Sequence, residues 1–514
     1  MTNKSITIVL VPLDERPVNT RYPQMLGAIG GAEVLLPPTE MRGLQRVPAD
    51  VDAVGKWLQN AAAEADAAIV SCDYLGFGNL IAARISQDSA ADILARLRLL
   101  ADMNTHCPVH AFSLITRVSN ADDAVEEPDY WAEWGTKFYR YARLTHQAER
   151  GELDDLEELA ALAELLPLEL KTDWLVRRLR NHTVNLGLLE MAARGQISSL
   201  RLTSDDTSPT GFPSRERSWL AGWPELIGPA LTDRVMMHPG ADEVGSALLA
   251  KLLMERAGKM PRVWIVYSHA GGDNLVAPYE DRRVAETVEG QIRACGGRLA
   301  QSASMCDLVL GVATPVPGRS AHQPDYLAED RASRTADYQT FLAKMAEMQA
   351  RGVPIALADT AYPNGSDPLL MELLLAQDSP LNLGLLAAYG AWNTAGNTLG
   401  VVVAQAFCAS LIGADSDRAA AQQQFLAHRF LEDWAYQAVV RREARLEAEQ
   451  LWGRREPAGD SPEELTQLCA FIEVRLNAHL QTLQTHGVGV SLQITPGSVR
   501  LPWRRTFEVD FGLE

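Results

Sequence analysis

Six cysteines in 514 residues stand apart at positions 72, 107, 295, 306, 408 and 469, and no two are spaced as CxxC. Such scatter is neither a disulfide framework nor a zinc ribbon, so the thiols are expected to be reduced core residues. Histidine is sparse too: the 10 residues form no HxH or HExxH pair, which argues against a zinc site. No GxxxxGK[ST] loop, complete GxGxxG or GxSxG elbow is present, so nucleotide-phosphate cradles and a serine nucleophile lack their usual carriers. Long apolar runs are missing as well. The run within MTNKSITIVLVPLDERP is shorter than a signal h-region and is broken by Asp14. No later stretch reaches the ~18 uncharged apolar residues of a membrane span, and the expected location is cytoplasmic. Positive charge is in deficit, with 47 Lys and Arg against 66 Asp and Glu, a formal net charge of −19. A surface that acidic repels phosphate backbones and anionic lipid, so neither nucleic acid nor membrane is expected as a partner.

What is present reads as a globular α/β protein. Apolar residues make up 47% of the chain and charged residues 22%, which excludes disordered and fibrous classes. Apolar, β-branched runs recur: ITIVLVPL (6–13), EVLL (33–36), DAAIVSC (66–72), VHAFSLI (109–115), SLRLTS (199–204) and RVMMH (234–238). VWIVYS (263–268), LVLGVA (308–313), PIALAD (354–359) and GLLAAY (384–389) follow. Amphipathic helical segments lie between most of them, such as ADILARLRLLADM (91–103). That alternation predicts parallel βα units. The expected architecture is a (β/α) barrel-like catalytic domain over 1–410, with two Rossmann-like lobes meeting near residue 255 as the alternative. Residues 129–195 hold no strand signal and are expected as a helical insertion. From 411 to 514 long helices and two short alternating runs, VSLQI and FEVDF, predict a C-terminal α+β subdomain.

Ligands of parallel α/β folds bind where the loops leave the carboxyl ends of the strands. Here those loops are polar. They carry Asp14 and Arg16, Asp73, Arg117, Asp205 and Asp206, Asp242 and Glu243, Asn364 and Asp367, and Trp392 and Asn393. For any single loop, helix capping explains an Asp or Asn equally well. As a set they predict one polar pocket, in which Arg16 and Arg117 offset the carboxylates or hold an acidic substrate group, and Trp392 stacks on a sugar face.

Asp205-Asp206 is the sharpest feature. Two carboxyls held close raise the pKa of one, giving an acid and a base in one site. Paired carboxylates of this kind serve glycosidases, and adjacent ones serve substrate-assisted hexosaminidases. Clustered Asp with His238 would instead suit a divalent-metal-dependent hydrolase, and the acids alone an all-oxygen magnesium or calcium site. A third reading is structural, with Asp206 capping the helix that begins near Pro213 and Asp205 paired to an arginine.

Seven ordered segments, PLDERPVN, SCDYLGFG, SDDTSPTG, HPGADEV, APYEDRR, ADTAYPNGSDP and AWNTAGNTLG, resemble the bacterial family of domain of unknown function 4127. That resemblance covers most of the chain and implies no particular activity. More distantly, the strand-terminal Asp-Asp pair is similar to the catalytic pair of barrels that act on N-acetylhexosamines. The combined expectation is a glycoside hydrolase acting on a terminal or small sugar through Asp205 and Asp206, without a cofactor. Its partner would be a small carbohydrate, and a homo-oligomer is compatible with it. The non-catalytic alternative is a protein that binds a sugar or polyol without turning it over.

Overall fold

Strand-forming runs that lie buried on both faces build two separate parallel sheets in the computed structural model, which describes residues 6–315, 328–459 and 461–514. The chain divides into two units. The first comprises Met1–Thr20, Ala32–Leu248 and Tyr279–Arg282; the second comprises Arg21–Gly31, Leu249–Pro278 and Arg283–Glu514.

In the first unit the strands are β1 (Ile6–Val11), β2 (Ala32–Leu35), β3 (Ala67–Ser71), β4 (Val109–Ile115), β5 (Ser199–Ser204) and β6 (Val235–Pro239). They lie in the order β2-β1-β3-β4-β5-β6, every neighbouring pair parallel. β3, β4 and β5 are buried at every residue, which is why their sequences read as continuous apolar runs rather than alternating ones. Helix Val51–Ala62 shows how the intervening segments pack. Asp50 caps it by accepting from the Ala53 N–H at 3.0 Å, and Val54, Leu58 and Ala62, four residues apart, are buried. Three helices, Trp131–Glu149, Glu157–Leu165 and Leu168–Ala193, separate β4 from β5. They are fixed by an aromatic cluster in which Trp131 stacks on Phe138 at 5.1 Å and Trp174 on Phe212 at 5.2 Å.

The second unit contains β7 (Arg262–Tyr267), β8 (Arg298–Leu299), β9 (Leu308–Ala313), β10 (Ile355–Asp359) and β11 (Ala388–Gly390). Their order is β11-β10-β9-β7-β8, again all parallel. Its core continues into the C-terminal helices, where Phe430, Tyr436, Leu468, Ile472 and Leu476 are buried with Ile355 and Leu357 of β10. The short strands expected in VSLQI and FEVDF do not form. The Thr495-Pro496-Gly497 turn leaves only isolated antiparallel bridges, Ile494 with Leu513 and Arg500 with Asp510.

A closed barrel is not found among the described residues. A barrel adds each strand on the same side of the last, whereas here the chain places β2 on one side of β1 and β3 on the other. The same reversal occurs at β7, flanked by β8 and β9. Counted from its own first strand, each sheet has the flavodoxin-like order 2-1-3-4-5, with a sixth strand added in the first unit. Such sheets are open, and each has a crevice at the carboxyl ends of the strands where the order reverses.

Candidate active site

Eight of the twelve expected residues belong to the first unit: Asp14, Arg16, Asp73, Arg117, Asp205, Asp206, Asp242 and Glu243. The other four, Asn364, Asp367, Trp392 and Asn393, belong to the second. Each group forms its own network.

In the first unit, Asp14 follows β1 and is fully buried. It accepts from Arg16 Nη2 at 2.6 Å and from Asn19 Nδ2 at 3.0 Å. The same arginine and asparagine reach Asp242 Oδ1 at 2.5 and 2.9 Å, so the loops after β1 and β6 are tied through one guanidinium. Burial pushes the Asp242 carboxyl up to about 6 against the pull of Arg16, with Asp14 and Asp205 adding repulsion. Asp73 opens the short helix Cys72–Phe77 directly after β3 and accepts from the Leu114 N–H at 2.9 Å. Burial raises it to about 7; its backbone and Ser113 hydrogen bonds oppose the rise, and Asp205 adds to it. Glu243 lies beside the His238 imidazole at 3.5 Å, and burial holds that histidine down at about 3, neutral over the working range.

Asp205 and Asp206 follow β5 and part company. Asp205 is buried and receives Arg84 Nη2 at 2.6 Å. Asp206 turns outward with φ 30°, and its side chain is 26% exposed. Arg117 Nη1 donates to its Oδ2 at 2.8 Å. A left-handed φ at a non-glycine residue costs of order 1–3 kcal/mol and marks a position that the surroundings hold in place. Here the next residue anchors the turn, since the Thr207 N–H donates to the Tyr279 carbonyl at 2.9 Å. Burial, and secondarily the Asp205 charge, raise the Asp206 carboxyl above the usual range, while Arg117 opposes this.

Two carboxylates outside the expected set complete the frame. Glu126 pairs with Arg84 and Arg117 at 3.1 Å each, and Glu127 with the same two at 3.4 and 2.9 Å. Two guanidiniums thus hold four carboxylates, a net negative patch that can accept a proton. Sequence reasoning passed over Arg84, Glu126, Glu127 and Asn19. The signals were a single cation inside the apolar LIAARI helix and a second adjacent acid pair ahead of Pro128.

In the second unit, Asp367 proves to be a helix cap. It accepts from the Leu369 N–H at 2.9 Å at the start of Pro368–Leu374, and Tyr338 and Arg334 also bind it. Asn364 and Asn393 both have left-handed backbones, with φ 60° and 65°, and the Asn364 N–H donates to the Asn393 carbonyl at 3.0 Å. Trp392 is 2% exposed and packs edge-on to Phe507. Asp359, at the end of β10, accepts from the Asp367 N–H at 2.6 Å, and burial raises it to about 7. No group of three or more His, Cys, Asp or Glu among the described residues is arranged to hold a metal ion. No helix among them is long and apolar enough to cross a membrane.

Fold and site together define a two-unit, doubly wound α/β protein with an arginine-framed acid pair at the carboxyl end of its first sheet. The chain belongs to the family described as protein of unknown function (DUF4127), whose family model matches residues 8–512. No curated protein matches it. The solved structure of a C2-type ketoreductase from a modular polyketide synthase aligns with 76% of this chain and 95% of its own at 12% identity. The TM-score of that alignment, 0.14, carries no argument about fold or function.

Proposed function

We propose that the protein is a glycoside hydrolase acting on a terminal or small sugar, with an N-acetylhexosaminide as the favoured substrate. Asp206 is the general acid and base, and Asp205 orients or stabilises the nucleophile. The reading is carried by the asymmetry of the pair: Asp205 is buried against Arg84, whereas Asp206 is partly exposed, raised in proton affinity by burial and the Asp205 charge, and fixed in a strained backbone. A general acid needs a raised proton affinity and access to the leaving oxygen, and the Asp206 carboxyl lies above its ordinary range and is partly exposed.

In the proposed reaction Asp206 gives its proton to the glycosidic oxygen as the bond from the anomeric carbon to that oxygen breaks. The substrate's own acetamido oxygen forms the new bond to the anomeric carbon, and Asp205 stabilises the positive charge that spreads over the acetamido group. Water then adds to the anomeric carbon as its bond to the acetamido oxygen breaks, while the Asp206 carboxylate takes the water's proton, releasing the sugar and restoring the acid. Arg117 keeps the Asp206 side chain aimed.

A panel of aryl glycosides, including N-acetylhexosaminides, tests this. The wild-type protein is expected to release aryl alcohol from at least one member. Asp205→Asn is expected to slow every substrate by a similar factor, on the order of 10²–10⁴, because it removes charge stabilisation at the reacting centre. Near-wild-type rates in both the Asp205→Asn and Asp206→Asn variants would place catalysis elsewhere. A rate abolished by chelator and restored by a divalent ion would favour the metal-dependent hydrolase instead.

A second reading has one observation in its favour. Asp14 is saturated by Arg16 and Asn19 donors and Asp205 is paired with Arg84, as expected of a pocket that binds a sugar or polyol without turning it over. Tight binding of a monosaccharide with no turnover on the whole panel would select it.

A further inference from the structure

The helix Arg441–Trp452 in the second unit carries Arg441 and Arg445 one turn apart, and Arg505 approaches from the C-terminal segment. Arg445 and Arg505 both repel Arg441. Arg441 Nη1 donates to Gln437 Oε1 at 3.0 Å, and its guanidinium lies 4.9 Å from the centre of the Phe507 ring. Its Nε is buried and makes no hydrogen bond. Among the described residues Arg441 forms no ion pair. Glu456, which acts on it at longer range, is already engaged by Arg445 Nη2 at 2.8 Å, the Thr506 N–H at 2.7 Å and Thr506 Oγ1 at 2.6 Å.

The ring beneath is shared. Arg505 lies 4.9 Å from the Phe507 centre and 4.6 Å from that of Trp503, and Trp392 meets Phe507 edge-on at 6.4 Å. Trp503 and Arg504 are held at φ 53° and 55°, a backbone that non-glycine residues adopt only under constraint. A partly buried cation beside two like charges is unfavourable unless a counter-charge arrives, and a chain of net charge −19 had ample carboxylates to supply one.

We propose that Arg441 and Arg505, seated on Phe507 and Trp503, form with the neighbouring Arg445 a binding site for a phosphate- or sulfate-type oxyanion. Planar forks stacked on aromatic rings present N–H pairs in fixed directions, which suits the parallel oxygens of such a group. The group could arrive alone or carried on a small organic ester. This site lies wholly in the second unit and does not depend on the hydrolase reading.

Thermal melts and calorimetric titrations of the full chain test it, at ionic strength held constant with chloride. Inorganic phosphate or sulfate at 20 mM, the chosen condition, is expected to raise Tm by about 2–4 °C over chloride. Glucose 6-phosphate against glucose separates the sources. A larger rise with the ester identifies a phosphorylated small molecule, and an equal rise identifies the free ion; both support the site. Arg441→Gln is expected to abolish the response while leaving the anion-free Tm at or above wild type, because it relieves like-charge repulsion. Arg441→Lys keeps the charge but not the fork and is expected to lose most of the response. Arg455→Gln, at a side chain 68% exposed, is expected to keep it. Three results overturn the proposal: no rise over chloride, an undiminished rise in Arg441→Gln, or a collapse of the anion-free Tm in that variant, which would make Arg441 a structural residue.

Discussion

A carboxylate buried at the end of a parallel strand loses its hydration, and its proton is held more tightly unless nearby cations restore the charged form. Asp73 and Asp242 feel this most clearly in the first unit, at about 7 and about 6. Both values lie above the ordinary 3.8 of an aspartate. Between roughly pH 4 and 7 the folded protein therefore binds more protons than the unfolded chain, and these two groups lower stability as pH rises through that window. Asp73→Asn removes one of them and preserves an oxygen for the Leu114 N–H. Its Tm is expected to exceed that of wild type by about 2–5 °C at pH 8 and to match it near pH 4. A lower Tm at pH 8 would show that the Asp73 charge is stabilising. At this scale the sequence pointed to the acids and to two of their holders, Arg16 and Arg117, but not to Arg84, Glu126 or Glu127. Asp14, Asp73, Asp205, Asp206 and Asp242 stand directly after strands, where a local rule finds them. Arg84 and Glu126-Glu127 reach the pair from 121 and about 80 residues away, a distance over which no spacing rule operates.

Elements were legible where one interaction range decides them. LVLGVA at 308–313 coincides with β9, and three helices lie within residues 131–193 between β4 and β5, because buried runs and helix periodicity are local properties. Strand order was not legible, since it depends on which side of β1 and β7 the chain returns to. The pocket expected from all twelve residues treated every strand end alike, yet capping accounts for Asp367. Asp367→Ala is expected to cost about 3 kcal/mol in denaturant unfolding, combining a lost cap with the loss of the Asp367 partner of a half-buried Arg334. Asp367→Asn keeps the capping oxygen and is expected to lose less. Equal losses in the two variants would mean that capping contributes nothing.

At the scale of the whole molecule the chain holds two parallel sheets of related strand order, each with polar residues at its carboxyl edge. The six strands of the first sheet frame an acid pair that suits proton transfer, and the second unit carries an arginine cluster that suits an oxyanion. This arrangement follows from the topology: a doubly wound sheet gathers loops from distant parts of the chain at one edge, so Asp14, Asp73 and Asp205 become neighbours in one electrostatic field. The central claim is that Asp206 delivers the proton to the leaving group. Its most direct test is the rate of Asp206→Asn on one sugar carrying a series of leaving groups. Activated aryl glycosides need little protonation, so their rates are expected to fall by less than about tenfold. Alkyl glycosides and poorly activated aryl glycosides are expected to fall by about 10²–10⁴. The same loss across the whole series would contradict the assignment of Asp206 as the acid.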